Sequence, residues 1–331
     1  MARVDGVSFV TSDGVSLGGT WHRSPRPAER VVLVAGATAV PHRFYARWAA
    51  DLADRGFDVF TFDYRGVGAS RPPSLAGFAA SMQDWGRRDL GAAFALAEAA
   101  AQGRPVSFVG HSFGGQALGL LEGGERLAGG FTVAAGWGWP GYQPAWRRPG
   151  LWAVWYAAVP FWLSTLGYVP ARAGLGDGLP GGVAAEWSTW CRSRDYLLDH
   201  VPDARARFAA VQAPFRVWSV SDDGYIPPPA VAELAKVLPA ATHVELDGAA
   251  FPGGLGHFGF FRSAARALWD EAAQVLAAPG LQPPVTYRNP IHISSSVDSP
   301  HRTSVSTEVV SKVQRSSTSS PAGAVYGSSN M

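Results

Sequence analysis

Short runs of β-branched and aromatic residues alternate along this chain with longer stretches whose apolar side chains recur at helical spacing. The runs at residues 31–34, 59–62, 106–109, 131–135 and 215–220 are apolar at most positions, which predicts strands covered on both faces in a parallel sheet. Residues 242–246 alternate apolar with polar and predict a further strand. Residues 43–54, 83–101, 113–122, 230–237 and 260–276 predict helices. Ahead of all of these, residues 7–10 and 15–21 flank Ser12-Asp13-Gly14, a turn with glycine where a positive φ is wanted, and so predict an antiparallel hairpin. A hairpin followed by alternating strands and helices gives the α/β class, with a mostly parallel central sheet and helices on both of its faces.

The alternation stops at residue 136 and resumes at residue 211. The segment between is rich in tryptophan, proline and glycine and holds eight of the chain's 13 tryptophans. It predicts a helical cap, residues 136–210, inserted into a core made of residues 1–135 and 211–278. From residue 279 to residue 331 the sequence turns to serine, threonine, proline and valine without periodicity. Such a segment buries too little apolar surface to offset the entropy of ordering, so a disordered tail is expected. Overall composition changes this picture little. The formal charge is +2 and no basic run is interleaved with aromatics, which argues against a nucleic-acid partner. The single cysteine, Cys191, rules out an internal disulfide framework, and no charged-then-apolar leader precedes the first strand, so a cytoplasmic location is expected.

The run at residues 106–109 leads into Gly110-His111-Ser112-Phe113-Gly114, a G-x-S-x-G pattern. A strand that ends in a very tight turn before a helix strains the backbone of its central residue, and the flanking glycines are needed because a Cβ there would collide with neighbouring elements. The pattern predicts an exposed Ser112 hydroxyl at a helix N-terminus. If Ser112 is a nucleophile of this kind, an acid should follow a later strand and a histidine should come after the acid. The strand-like run at residues 215–220 ends at Ser221-Asp222-Asp223-Gly224, and Gly256-His257-Phe258-Gly259 lies beyond one more helix and strand. His22, His42, His111 and His200 precede the acid, His243 sits in a predicted strand, and His292 and His301 lie in the tail, which leaves His257. Asp223 is favoured over Asp222 because Asp-x-x-Ile-Pro places its carboxylate just before the next helix, with Asp222 left to brace the turn.

These features resemble the α/β-hydrolase superfamily, and most closely a bacterial group of uncharacterised α/β hydrolases related to serine esterases. Residues 7–277 carry the resemblance, including the 62–70 segment Phe-Asp-Tyr-Arg-Gly-Val-Gly-Ala-Ser and the 182–190 segment Gly-Val-Ala-Ala-Glu-Trp-Ser-Thr-Trp. One departure stands out: many relatives carry His-Gly after the third strand, where this chain has Ala35-Gly36-Ala37. The resemblance implies a Ser-His-Asp triad of Ser112, His257 and Asp223, an acyl-enzyme intermediate, and an oxyanion hole from the backbone N–H groups of Phe113 and Ala37, with Thr38 taking the second place if the loop register differs by one. Asp63 and Arg65 are expected to organise the loop after the fourth strand. Phe44, Tyr45, Trp137 and Trp187 are the expected pocket residues, each alternatively part of the packing.

The expected activity is hydrolysis of a carboxylic ester, with a small ester or acyl compound of medium acyl or aromatic type as the partner. Acyl transfer, thioester or carbon–carbon bond hydrolysis on the same triad, and a catalytically silent binding scaffold are the alternatives. No cofactor or metal is expected, because the histidines lack ligand spacing and neither a dinucleotide fingerprint nor a P-loop is present. Residues 151–169 contain no charge, yet one membrane crossing there would put Ser112 and Asp223 on opposite sides of a bilayer. A hydrophobic cap with no membrane span is expected instead, with peripheral lipid contact and oligomeric state left open.

Overall fold

The computed structural model describes residues 2–277 with the exception of residue 175; the expected tail lies outside the described residues. The strands are β1 Arg3–Val10, β2 Ser16–Arg23, β3 Arg30–Ala35, β4 Phe57–Phe62, β5 Val106–His111, β6 Gly130–Val133, β7 Tyr168–Val169, β8 Leu179–Pro180, β9 Phe215–Val220 and β10 Ala241–Leu246. Eight of them form one sheet in the order β1-β2-β4-β3-β5-β6-β9-β10. β2 runs antiparallel to both β1 and β4, and the remaining pairs are parallel. The expected α/β-hydrolase architecture is therefore present, with the elbow strand β5 at its centre.

Successive residues of a strand point to opposite faces, and β3 shows this directly. Val31, Leu33 and Ala35 enter one apolar cluster, whereas Val32 and Val34 enter the other. Trp48 and Leu52 of helix Ala46–Asp54, with Leu268, Trp269 and Leu276 of helix Arg266–Ala277, cover the second face. Leu90, Phe94 and Ala97 of helix Leu90–Ala101 cover the first, together with Ala230, Val231 and Leu234 of helix Pro228–Val237. Fully burying one large apolar side chain contributes about 1.5–3 kcal/mol, so unbroken apolar strands require cover on both sides.

Three predicted helices are broken; in residues 260–276, 3-10 turns at Gly259–Phe261 and Ser263–Ala265 precede the helix Arg266–Ala277. Residues 113–122 form an α-helix only over Phe113–Gln116, followed by a 3-10 turn at Ala117–Gly119. Three glycines lower the helical preference here, and a Cβ on Gly119 would overlap the Phe208 ring, so the segment tightens against its neighbour. Residues 83–101 start from a capping box at Ser81 and Asp84 and pass through a π turn at Trp85–Asp89 before helix Leu90–Ala101. That turn aims Asp89 at Arg65, which also pairs with Asp13 in the first hairpin.

The segment between β6 and β9 consists of short helices and the antiparallel pair β7-β8. Its helix Gly181–Cys191 is tied to the core through Glu186, which accepts from the Gln83 backbone N–H at 3.0 Å and from the Gln83 side-chain amide at 2.6 Å. No helix among the described residues is long and apolar enough to cross a membrane.

Candidate active site

Ser112 follows the last residue of β5 with φ +52° and ψ −117°, backbone geometry that a non-glycine residue rarely adopts. The neighbouring glycines make it possible. A Cβ on Gly110 would stand 2.6 Å from the Gly115 backbone, and one on Gly114 would overlap the Ala35 carbonyl. The Ser112 N–H is held by the Val133 carbonyl at 3.0 Å, so β6 fixes the elbow as well. Phe113 opens the following helix, and its N–H has no intrahelical acceptor.

His257 Nδ1 lies 2.7 Å from Asp223 Oδ2, and both side chains are buried. Asp223 Oδ1 accepts from the backbone N–H groups of Tyr225 at 2.7 Å and Ile226 at 3.0 Å, which fixes the carboxylate as the chain turns toward helix Pro228–Val237. Asp222 points elsewhere. Its Oδ1 accepts from the Gly256 N–H at 2.9 Å, so the neighbouring carboxylate braces the loop that carries His257. Gly256 has φ +51°, which explains a glycine immediately before the histidine.

The loop after β3 departs from expectation at one residue. The Ala37 N–H donates to the Tyr45 hydroxyl at 2.8 Å and is not free for a ligand. Thr38, the next residue, lines the cavity beside Ser112, and its N–H makes no hydrogen bond among the described residues. The register open to a ligand is therefore one residue later than Ala37, because a buried tyrosine has taken the first donor. Asp63 and Arg65 organise the adjoining loop. Asp63 accepts from the backbone N–H groups of His42 at 2.6 Å and Ala69 at 2.7 Å, and Arg65 pairs with Asp89 and Asp13.

Ser112 and His257 open into one cavity of about 90 Å³, lined also by Ala37, whose N–H is nevertheless taken by Tyr45, and by Thr38, Val40, Gly174, Gly176, Trp187, Tyr225 and Phe258. No hydrogen bond joins the Ser112 hydroxyl to His257 among the described residues; such contacts are often long without substrate and tighten when it binds. Of the four expected pocket residues, only Trp187 lines this space. Trp137 is buried against Tyr196 and Phe208. Phe44 packs on Tyr45, His111, Phe258 and Phe261 and lines an adjoining pocket that shares Val40 and Gly176 with this cavity. Tyr45 is buried in the bond to Ala37 just described. Tyr225 and Phe258, which flank the His257 ring at 5.1 and 4.9 Å, were missed. Their places directly after the aspartate pair and after the histidine were the available signal. Cys191 is fully buried, and burial pushes its thiol pKa up, which suits a packing residue. No cluster of potential metal ligands occurs among the described residues.

Residues 31–271 match the alpha/beta hydrolase family. No curated protein sequence matches the chain. Among solved structures, a hydrolase from Pseudomonas aeruginosa PA01 superposes with a TM-score of 0.52 at 21% identity, covering 82% of this chain and 97% of that one. A thermophilic esterase from Thermogutta terrifontis gives 0.51 at 19% identity over 82% and 99% of the two chains. The esterase domain of a Rhodothermus marinus protein gives 0.52 at 17% identity over 83% and 98%.

Proposed function

The chain belongs to the alpha/beta hydrolase family, and from the arrangement around Ser112 we propose that it cleaves carboxylic esters through an acyl-enzyme. The carrying observation is that the strained Ser112 and the Asp223-paired His257 open into the same cavity. In this reading His257 takes the Ser112 proton as the hydroxyl oxygen attacks the ester carbonyl. Asp223 fixes the imidazole tautomer and stabilises the imidazolium that forms. The negative charge on the tetrahedral oxygen is met by the N–H groups of Phe113 and Thr38, each such donor contributing roughly 10²–10³ in turnover. His257 then gives its proton to the departing alkoxide, and the same steps with water release the acid and restore Ser112.

The cavity favours a small acyl group over the medium acyl or aromatic one expected from the tryptophan content. Its 90 Å³ is well below the roughly 300–1,000 Å³ of ordinary ligand pockets. Trp187, Tyr225 and Phe258 supply apolar walls. The test is labelling with a fluorophosphonate probe and peptide mapping, followed by turnover of p-nitrophenyl esters of graded acyl length. A single adduct at Ser112, absent from Ser112→Ala, with acetate and butyrate esters outpacing long-chain ones, is the expected result. Failure of the folded wild type to label removes the serine-hydrolase reading, and a preference for long chains removes the small-acyl reading.

A further inference from the structure

Three loops from distant parts of the chain meet behind Ser112 through one buried line of hydrogen bonds that the reaction above does not use. The Ala37 N–H, in the loop after β3, donates to the Tyr45 hydroxyl at 2.8 Å. Tyr45 lies 2.8 Å from His111 Nδ1, and His111 Nε2 lies 2.9 Å from the backbone carbonyl of His257. His111 is the residue immediately before the nucleophile.

The proton positions follow from the chemistry of the ends. A carbonyl only accepts, so Nε2 of His111 carries a hydrogen. Burial, with the neighbouring His257 ring, holds the His111 pKa well below its ordinary value, so the ring is neutral and Nδ1 is bare. Tyr45 must then donate to Nδ1, and its oxygen is left to accept from Ala37. Burial also pushes the phenol pKa up, so Tyr45 keeps this proton. The line therefore has one direction, from Ala37 to His257, and every donor in it has an acceptor.

Its surroundings make it stiff. His111 and Tyr45 are 0% and 1% exposed. Phe261, Phe258 and Phe44 surround the His111 ring with centroids 5.0, 5.7 and 6.4 Å away. Gly36 lets Tyr45 approach, since a Cβ there would stand 3.0 Å from the tyrosine ring. Away from water such bonds strengthen, and each broken one leaves a costly unpaired group.

We propose that His111 and Tyr45 are positioning residues for the proposed ester hydrolysis. His111 holds the His257 backbone, and with it the imidazole, in register with Ser112. Tyr45 fixes His111 and occupies the Ala37 N–H, leaving Thr38 as the donor of that loop. The proposal rests on the serine-hydrolase reading.

The test compares His111→Gln, His111→Met and Tyr45→Phe in the full chain, by ester kinetics and by ¹⁵N imidazole spectra. Glutamine keeps both ends of the line, because its amide N–H donates to the carbonyl while its oxygen accepts from Tyr45. It is expected to retain most of kcat. Methionine keeps the bulk and neither bond, and should lower kcat by about 10²-fold with little change in KM, as a misplaced catalytic group does. Tyr45→Phe should fall in the same direction and displace the His257 ring resonances. The wild-type spectrum should show His111 with Nε2 protonated and Nδ1 bare. Equal kcat for the glutamine and methionine variants at matched thermal stability overturns the positioning role and leaves the hydrolase reading intact. So does a His111 signal with Nδ1 protonated. A folded wild type that neither labels nor turns over esters overturns the hydrolase reading, and the positioning role falls with it.

Discussion

At the scale of single residues, adjacent aspartates have separate partners, and their substitutions should separate accordingly. Asp223→Asn leaves an isosteric group beside His257 but favours the wrong imidazole tautomer, and kcat should fall about 10⁴-fold with the fold intact. Asp222→Asn can still accept from Gly256, so its kcat should stay within about tenfold of wild type and its main effect should be a lower melting temperature. Steady-state kinetics on both variants checks this, and the reverse ranking would move the acid role to Asp222. Gly114→Ala should be the more damaging of two small changes at the elbow. Its Cβ meets a backbone carbonyl that cannot turn away, whereas serine to alanine at position 112 adds no atom. Thermal unfolding should show Gly114→Ala destabilised by several degrees and Ser112→Ala near wild type. That Ser112, Asp223 and His257 lie close together was legible because this fold restricts the order in which such residues follow its strands, and few residues of the chain satisfy that order. The Ala37 donor was not. Whether an N–H faces a ligand or a tyrosine depends on a ring eight residues further on, folded back across Gly36.

At the scale of elements, the helix Gly181–Cys191 carries Trp187 to the cavity and is held there by the carboxylate of Glu186 on Gln83. Glu186→Ala frees that helix from Gln83 without touching Ser112. The expected result is a raised KM for short esters, by roughly threefold to tenfold, and a relaxed preference between short and long acyl chains, because the wall at Trp187 is no longer fixed. Unchanged acyl-chain selectivity would show that the tether does not set the pocket. Strands of the core were readable because a run apolar on both faces suits few alternatives. The elements between β6 and β9 were not readable. β7 and β8 have two residues each, too few for a periodic signal, and Trp137 and Trp187 differ in which side of a packed layer they occupy, which composition does not record.

At the scale of the whole molecule, the first hairpin is fastened by charge to the loop after β4 and to the π turn at Trp85–Asp89. Asp13 meets Arg65 at 2.7 Å and Arg88 at 2.8 Å, and the Arg65 bond holds its carboxyl well below the ordinary value of 3.8. A carboxyl whose pKa is lowered on folding contributes stability that is fully present above its unfolded pKa and is lost as the pH falls through and below it. The melting temperature should therefore drop between pH 5 and pH 3, about the range in which unfolded carboxyls take up protons, and Asp13→Asn should drop less over that range. Equal slopes would assign the acid sensitivity to other groups. The parallel pairing of β6 with β9 carries a different consequence. The sheet closes over the whole segment 134–214 as though it were one long connection. The entropy of closing a connection rises only with the logarithm of its length, by about 0.6 kcal/mol for each doubling. Over evolutionary time that segment can thus lengthen, shrink or be traded for another while β5 and β9, which lead into Ser112 and Asp223, stay where they are.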